Sequence, residues 1–260
     1  MAENATGWSG LRVGWSSPGP ASCSPASYRR RPPPAVIADI GGGPGRYALW
    51  LAGLGYRVLH RDLIALHVHQ LRSDAPPGGA IDTAVADARS LDLPDGCVDA
   101  VLLLGPLYHL PRRADRLRAL REARRIARPG APLCVAAISR WSPRLDAVLL
   151  KELDFRTPEA LSAVVQVERT GVLPPLGPGD FTGFCHRPHQ FRAELRASGL
   201  VVRSIVAVEG VAFLLPDLTR RLDDPRARSA LFASLRATEE VPELLGASPH
   251  LLATAVAGDA

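Results

Sequence analysis

The sequence predicts an α/β fold with a doubly wound, mostly parallel sheet, and three observations carry that prediction. The first is Val36-Ile37-Ala38-Asp39-Ile40, a short and partly β-branched apolar run that ends in the turn Gly41-Gly42-Gly43-Pro44-Gly45. Tyr47 to Leu54 then switches to helical spacing. A buried strand, a glycine turn and a helix in that order open a nucleotide-binding βαβ unit. The second is a pair of further strand signals that each end in an acid, Tyr56 to Asp62 and Val85 to Ala88 around Asp87. The third is a helix from about Ala114 to Ala127, stopped by Arg128-Pro129-Gly130 and followed by the apolar run Leu133 to Ile138.

The glycine turn brings backbone against a ligand, because a Cβ there would forbid both the φ angles and the closeness of approach. It does not fit the dinucleotide fingerprint G-x-G-x-x-G: counting from Gly41, Arg46 stands where the third glycine belongs. That weakens an NAD-dependent reductase. What stands is Asp39-x-Gly41-x-Gly43-x-Gly45, and in this the chain resembles the class I S-adenosylmethionine-dependent methyltransferases, whose first motif is an acid followed by G-x-G-x-G. The resemblance implies S-adenosyl-L-methionine as cofactor, with Asp39 contacting its methionyl end through its loop, Gly41 and Gly43 making room, and Gly45 counted with them at the cofactor site. Asp62 lies 23 residues after Asp39, where a strand-end carboxylate can accept the ribose hydroxyls, and Leu63 follows it. Asp87 would take the adenine amino group and the Ala88 N–H would face the ring.

The remaining elements follow in order. Cys97 to Leu104 is a fourth strand, with Leu104 counted at the cofactor site, and Gly105-Pro106-Leu107-Tyr108-His109-Leu110 leaves its carboxyl end. The helix that follows buries Leu117, Leu120, Ala123 and Ile126 in one stripe among arginines. Residues 139–187 read as a cap insertion, with helical stretches at Leu145 to Leu153 and Pro158 to Glu168 and a loop from Gly171 to Asp180. A helix from His189 to Ala197, a sixth strand from Val201 to Val208 and more helices over 211–250 come next. The resemblance implies a seven-stranded sheet whose last strand, Leu251 to Val256, is inserted antiparallel. The phrases Gly105 to Leu110, Ala137-Ile138-Ser139-Arg140-Trp141 and Gly183 to Pro188 resemble a subgroup of actinobacterial methyltransferases.

Composition narrows the class. No repeat and no second core is visible, so residues 35–260 read as one domain. Residues 1–34 are rich in Gly, Ser, Pro and Arg, hold too little apolar content to offset ordering entropy, and read as disordered. A mis-assigned start, or a genuine lid, stands beside that reading. No run of 18 uncharged apolar residues and no signal-peptide pattern is present, which points to the cytoplasm and away from membranes. Cys23, Cys97, Cys134 and Cys185 form no C-x-x-C pair and read as free thiols. The net charge is +5, with 30 Arg against the single Lys151. The bases are mixed with acids rather than massed, and the densest cluster, Arg112 to Arg125, reads as the solvated face of a helix, so nucleic acid is not the expected partner. Cys185-His186-x-x-His189 lacks a full ligand set, and no metal is expected.

The expected activity is methyl transfer to a small molecule at N, O or C. Such a displacement needs nucleophile and methyl group held in line and a place for the acceptor's proton. His109 is the best-placed base, with Tyr108 orienting substrate or lining the methionyl pocket. Both residues can instead be loop packing. His186 and Arg187, at the end of the cap, are candidates for the acceptor, Arg187 as a bidentate carboxylate grip. An RNA methyltransferase and a non-catalytic S-adenosylmethionine-binding relative are the alternatives.

Overall fold

The structure is a computed structural model that describes residues 35–146, 158–175 and 182–258. The readings made for residues 1–34, for most of the helical stretch Leu145 to Leu153, and for Gly177 to Asp180 lie outside the described residues.

The chain begins with β1 (Val36–Ile40), α1 (Arg46–Gly53), β2 (Arg57–Asp62), α2 (Ala65–Asp74), β3 (Ile81–Val85) and β4 (Ala100–Leu103). It continues through α3 (Arg113–Ile126), β5 (Pro132–Ser139), α4 (Pro158–Thr170), β6 (Val172–Leu173), β7 (Gly183–His186) and α5 (Pro188–Ala197). It closes with β8 (Leu200–Ala207), α6 (Leu218–Asp223), α7 (Pro225–Thr238), α8 (Pro242–Leu245) and β9 (His250–Ala257). Strands β3, β2, β1, β4 and β5 lie side by side and parallel. Strand β9 runs antiparallel beside β5, and β8 pairs with β9. These seven strands correspond in order to those expected, but β3 stops at Val85, before Asp87, and β4 spans Ala100–Leu103 rather than Cys97 to Leu104.

The sheet has nine strands among the described residues rather than seven. The extra pair is the antiparallel β6–β7 hairpin, which joins β5 only at its carboxyl end, through Ile138 and Ser139. Its origin is chemical: β7 is Gly183-Phe184-Cys185-His186, buried throughout, so it behaves as sheet and not as a loop leading into α5.

Two apolar layers sandwich the sheet. On one face Ala38, Ile40, Val101, Leu103, Leu133 and Val135 meet Leu120, Ala123 and Ile126 of α3 and Phe191 and Leu195 of α5. On the other, Ile37, Val58, Ala100, Leu102 and Cys134 meet Ala48 and Leu51 of α1 and Leu71 of α2. Each strand supplies both layers by alternation, which is why these strands are apolar almost throughout.

The arginine-rich face of α3 is less solvated than its pattern suggests. Arg116 is buried, donating from Nε and Nη2 to the two carboxylate oxygens of Glu194 at 2.9 and 2.7 Å. Its Nη1 reaches the carbonyls of Leu110 and Pro111 at 2.9 and 2.8 Å, and its guanidinium lies 3.5 Å over the Phe184 ring. A bidentate fork stacked on an aromatic ring is the arrangement in which a buried arginine is tolerated. It ties the segment after β4 to α5 and β7.

Candidate functional site

The carboxyl ends of β1, β2 and β4 converge on the glycine turn. Gly41, Gly43 and Gly45 all adopt positive φ, at 67°, 58° and 88°, while Gly42 does not. Gly42 is glycine for space: a Cβ there would lie 2.4 Å from Asp39 Oδ2 and 2.7 Å from His60 Cδ2. Gly43 is the converse case, since a Cβ built on it would meet none of the described residues within 4 Å. Among the described residues its left-handed backbone is uncovered, where a ligand can approach the main chain.

Asp39 is 1% exposed. Its Oδ2 has no hydrogen-bond partner among the described residues, and the nearby backbone of Ala48, at the start of α1, favours the ionised form. Burial, and then the negative charge of Asp62, push its carboxyl from 3.8 up to about 7. An orphaned, buried carboxylate oxygen beside an open turn is suited to a cationic group brought by a ligand.

Asp62 is buried at the end of β2 and organises the same turn. Its Oδ2 accepts the Gly43 N–H and its Oδ1 the Ile64 N–H, both at 2.8 Å. His67 Nδ1 lies 3.1 Å from Oδ1. Leu63 is exposed beside it. Beyond β3, Asp87 is engaged by Arg89, whose Nε and Nη2 reach its carboxylate at 3.0 and 2.6 Å. That hydrogen bond holds the Asp87 carboxyl below the usual range, so a ligand amino group would meet a carboxylate already shared with Arg89. Ala88 is partly buried against the core.

Leu104 and Gly105 lead from β4 into a single 3₁₀ turn, Pro106–His109. Gly105 crosses the glycine turn so closely that a Cβ would sit 2.8 Å from the Gly41 carbonyl. Tyr108 donates its hydroxyl to the Leu104 carbonyl at 3.1 Å, and its ring lies 4.9 Å from that of His109. Desolvation lowers the pKa of His109, with the charge of Asp62 opposing, so the imidazole is held neutral at neutral pH and can accept a proton.

The expected cofactor residues Asp39, Gly41, Gly43, Gly45 and Asp62 thus surround one turn, with Leu104, Tyr108 and His109 on the adjoining edge and Asp87 and Ala88 one strand further out. His186 and Arg187 are placed differently. His186 is fully buried, its Nε2 3.2 Å from Glu194 Oε2 in the ion cluster of Arg116. Arg187 is half-buried and caps α5 through its backbone N–H to Gln190 Oε1. Sequence reasoning passed over His60, whose ring underlies the turn. The available signal was register: His60 sits opposite Asp39 across β1 and β2.

A family model for the methyltransferase domain matches residues 38–135. A ubiquinone/menaquinone biosynthesis C-methyltransferase UbiE from Acidiphilium cryptum is 33% identical over 141 residues, 53% of this chain and 55% of that protein, so the chain spans about half the length of this curated relative. Among solved structures, a SAM-dependent methyltransferase from Methanosarcina mazei superposes with TM-score 0.57 at 22% identity, covering 70% of this chain and 87% of the other. A second solved structure, described as conversion of a disulfide bond into a thioacetal group during echinomycin biosynthesis, reaches TM-score 0.50 at 29% identity, covering 75% of this chain and 73% of the other. With the acid and glycine turn of its first βαβ unit, the strand order of its sheet and the methyltransferase-domain match over residues 38–135, the chain is similar to the class I S-adenosylmethionine-dependent methyltransferases.

Proposed function

We propose that this chain binds S-adenosyl-L-methionine at the glycine turn and catalyses methyl transfer to a small-molecule acceptor. The observation that carries the reading is the buried Oδ2 of Asp39, which has no partner among the described residues, beside the Gly43 backbone that none of those residues covers. Asp39 takes the methionyl ammonium, Asp62 the ribose hydroxyls with the lone pairs not used on Gly43 and Ile64, and Leu63, Ala88 and Leu104 supply apolar wall. Asp87 is the adenine acceptor, in competition with Arg89.

The bound cofactor supplies an electrophilic methyl group. The chain's own contribution is positioning and proton traffic. Asp62 fixes the turn through the Gly43 N–H, and Gly105 presses the start of the Tyr108–His109 turn against Gly41. His109, neutral at its imidazole, accepts the acceptor's proton, while Tyr108 is held by Leu104 and shapes the wall beside it. Arg116 keeps that segment in place from behind by gripping the Leu110 and Pro111 carbonyls.

A small acceptor is supported by the biosynthetic roles in the names of the UbiE and echinomycin relatives, and the UbiE likeness favours carbon among N, O and C. The test is incubation of the protein with methyl-labelled S-adenosylmethionine and a panel of hydroquinone, phenolic, amino-acid-derived and RNA acceptors, read by product mass and S-adenosylhomocysteine release. Label on a small acceptor supports the proposal. Label on RNA alone would establish the RNA alternative, and tight S-adenosylhomocysteine binding without transfer to any acceptor would favour a non-catalytic binder.

A further inference from the structure

Three positions in register form a polar row across β1, β2 and β3. Asp39 pairs with His60, and His60 with Thr83. The row before it on the same face, Ile37, Val58 and Ile81, is apolar and packs under α1 and α2. The sheet therefore turns from apolar to polar one step before its carboxyl edge, directly beneath the glycine turn. His60 is fully buried at the centre of this row.

Both ring nitrogens of His60 are used. Nε2 lies 3.0 Å from the carbonyl oxygen of Gly43, and Nδ1 lies 2.9 Å from Thr83 Oγ1. A carbonyl only accepts, so Nε2 carries the proton and, in the neutral ring, Nδ1 accepts from the Thr83 hydroxyl. Burial favours that neutral ring. Asp62, two residues along the same strand, meanwhile accepts the N–H of Gly43 at 2.8 Å. The two polar groups of one residue, Gly43, are thus held by His60 and Asp62 from a single strand. The missing Cβ of Gly42 belongs to the same design, because it would collide with both the Asp39 carboxylate and the His60 ring.

We propose that His60 is a positioning residue for the cofactor turn: its Nε2–H fixes the Gly43 carbonyl, Thr83 fixes the ring, and Asp62 fixes the Gly43 N–H, so the left-handed Gly43 is set before ligand arrives. A preset turn spares the ligand the ordering cost of that segment. The inference deepens the cofactor reading above and rests on it.

Two isosteric replacements separate the roles of the two ring nitrogens. The carboxamide nitrogen of glutamine sits as many bonds from Cα as Nε2, and that of asparagine as many as Nδ1. Calorimetric titration of S-adenosylhomocysteine is expected to show His60→Gln within about threefold of wild type and His60→Asn weaker by roughly tenfold, the loss of one buried hydrogen bond to the turn. Thr83→Val should weaken binding severalfold and Thr83→Ser restore it. Hydrogen exchange of the ligand-free protein should show the Gly43 amide protected in wild type and His60→Gln and faster in His60→Asn. A merely structural histidine would give Gln and Asn variants whose affinities fall together with their melting temperatures, and that result would overturn the inference. So would equal Gly43 protection in all variants. If His60→Asn does not fold, the Thr83 pair carries the test. Failure of wild type itself to bind would overturn the cofactor reading, while the exchange measurement still decides whether His60 holds the turn.

Discussion

Replacing Asp39 with asparagine should raise the stability of the ligand-free protein at pH 8 and lower its affinity for S-adenosylhomocysteine. The carboxyl of Asp39 is pushed from 3.8 to about 7 by burial and by the charge of Asp62. An acid whose folded pKa lies above its unfolded value binds protons more tightly in the folded state, so stability falls as pH rises from about 4 through about 7. At about 1.36 kcal/mol per pH unit, full ionisation costs on the order of 4 kcal/mol at pH 8 and about 1 kcal/mol at pH 4.5. Asparagine removes that cost but leaves an amide N–H where Oδ2 has no partner, a penalty of about 1–3 kcal/mol. The net is a gain of about 1–3 kcal/mol at pH 8, or several degrees in Tm, and a loss or no change at pH 4.5. Thermal and urea unfolding at both pH values measure this. A difference between wild type and Asp39→Asn that is the same at pH 4.5 and pH 8 would refute the reasoning, because no desolvated charge would then be present to remove. The accompanying loss of affinity, roughly 10- to 100-fold, would reflect removal of the charge proposed to meet the ligand's ammonium.

Adjacent glycines should fail in different ways: Gly42→Ala should destabilise folding by about 1–3 kcal/mol through overpacking against Asp39 and His60, whereas Gly43→Val meets no described neighbour, carries about 1–3 kcal/mol of backbone strain at its positive φ and should abolish S-adenosylhomocysteine binding. Urea melts and calorimetry on both distinguish them. His109→Ala should lower kcat by roughly 10²- to 10⁴-fold with cofactor affinity nearly unchanged, and the wild-type rate should fall on the acid side of pH 6.5, as the lowered pKa of His109 requires, with no such limb in the mutant. Full turnover by the mutant would retire the base. Glu194→Ala should cost about 3–5 kcal/mol by stranding Arg116. Burial would raise the Glu194 carboxyl, but the hydrogen bonds from Arg116 and His186 outweigh it and bring it to about 2. The wild-type stability from this pair is therefore present above pH 4.5 and lost as pH falls toward 2, and Glu194→Ala should flatten that part of the profile.

The first half of the site was legible because each residue there answers a local demand. Three alternate glycines turned out to be three positive φ angles, and two strand-end acids turned out to sit beside them. The helical stripe Leu117, Leu120, Ala123 and Ile126 is buried as its spacing requires. What could not be read locally depends on partners far along the chain. Arg116 looks like one more surface arginine until Glu194, 78 residues later, closes a fork on it. His186 looks like a cap residue until β7 is seen to pair with β5, which places its ring inside. His60 carries no motif at all, and only the register of β1, β2 and β3 reveals that it stands between Asp39 and Thr83.

The central claim is that Asp39, Gly43 and Asp62 form one cofactor cradle, and calorimetric titration of S-adenosylhomocysteine into wild type and Asp62→Ala tests it most directly. Asp62→Ala removes both the proposed ribose acceptor and the hold on Gly43, so wild-type binding in the micromolar range should weaken by about 2 kcal/mol, roughly thirtyfold. Absence of binding to wild type, or an Asp62→Ala protein that binds as tightly as wild type, would contradict the account.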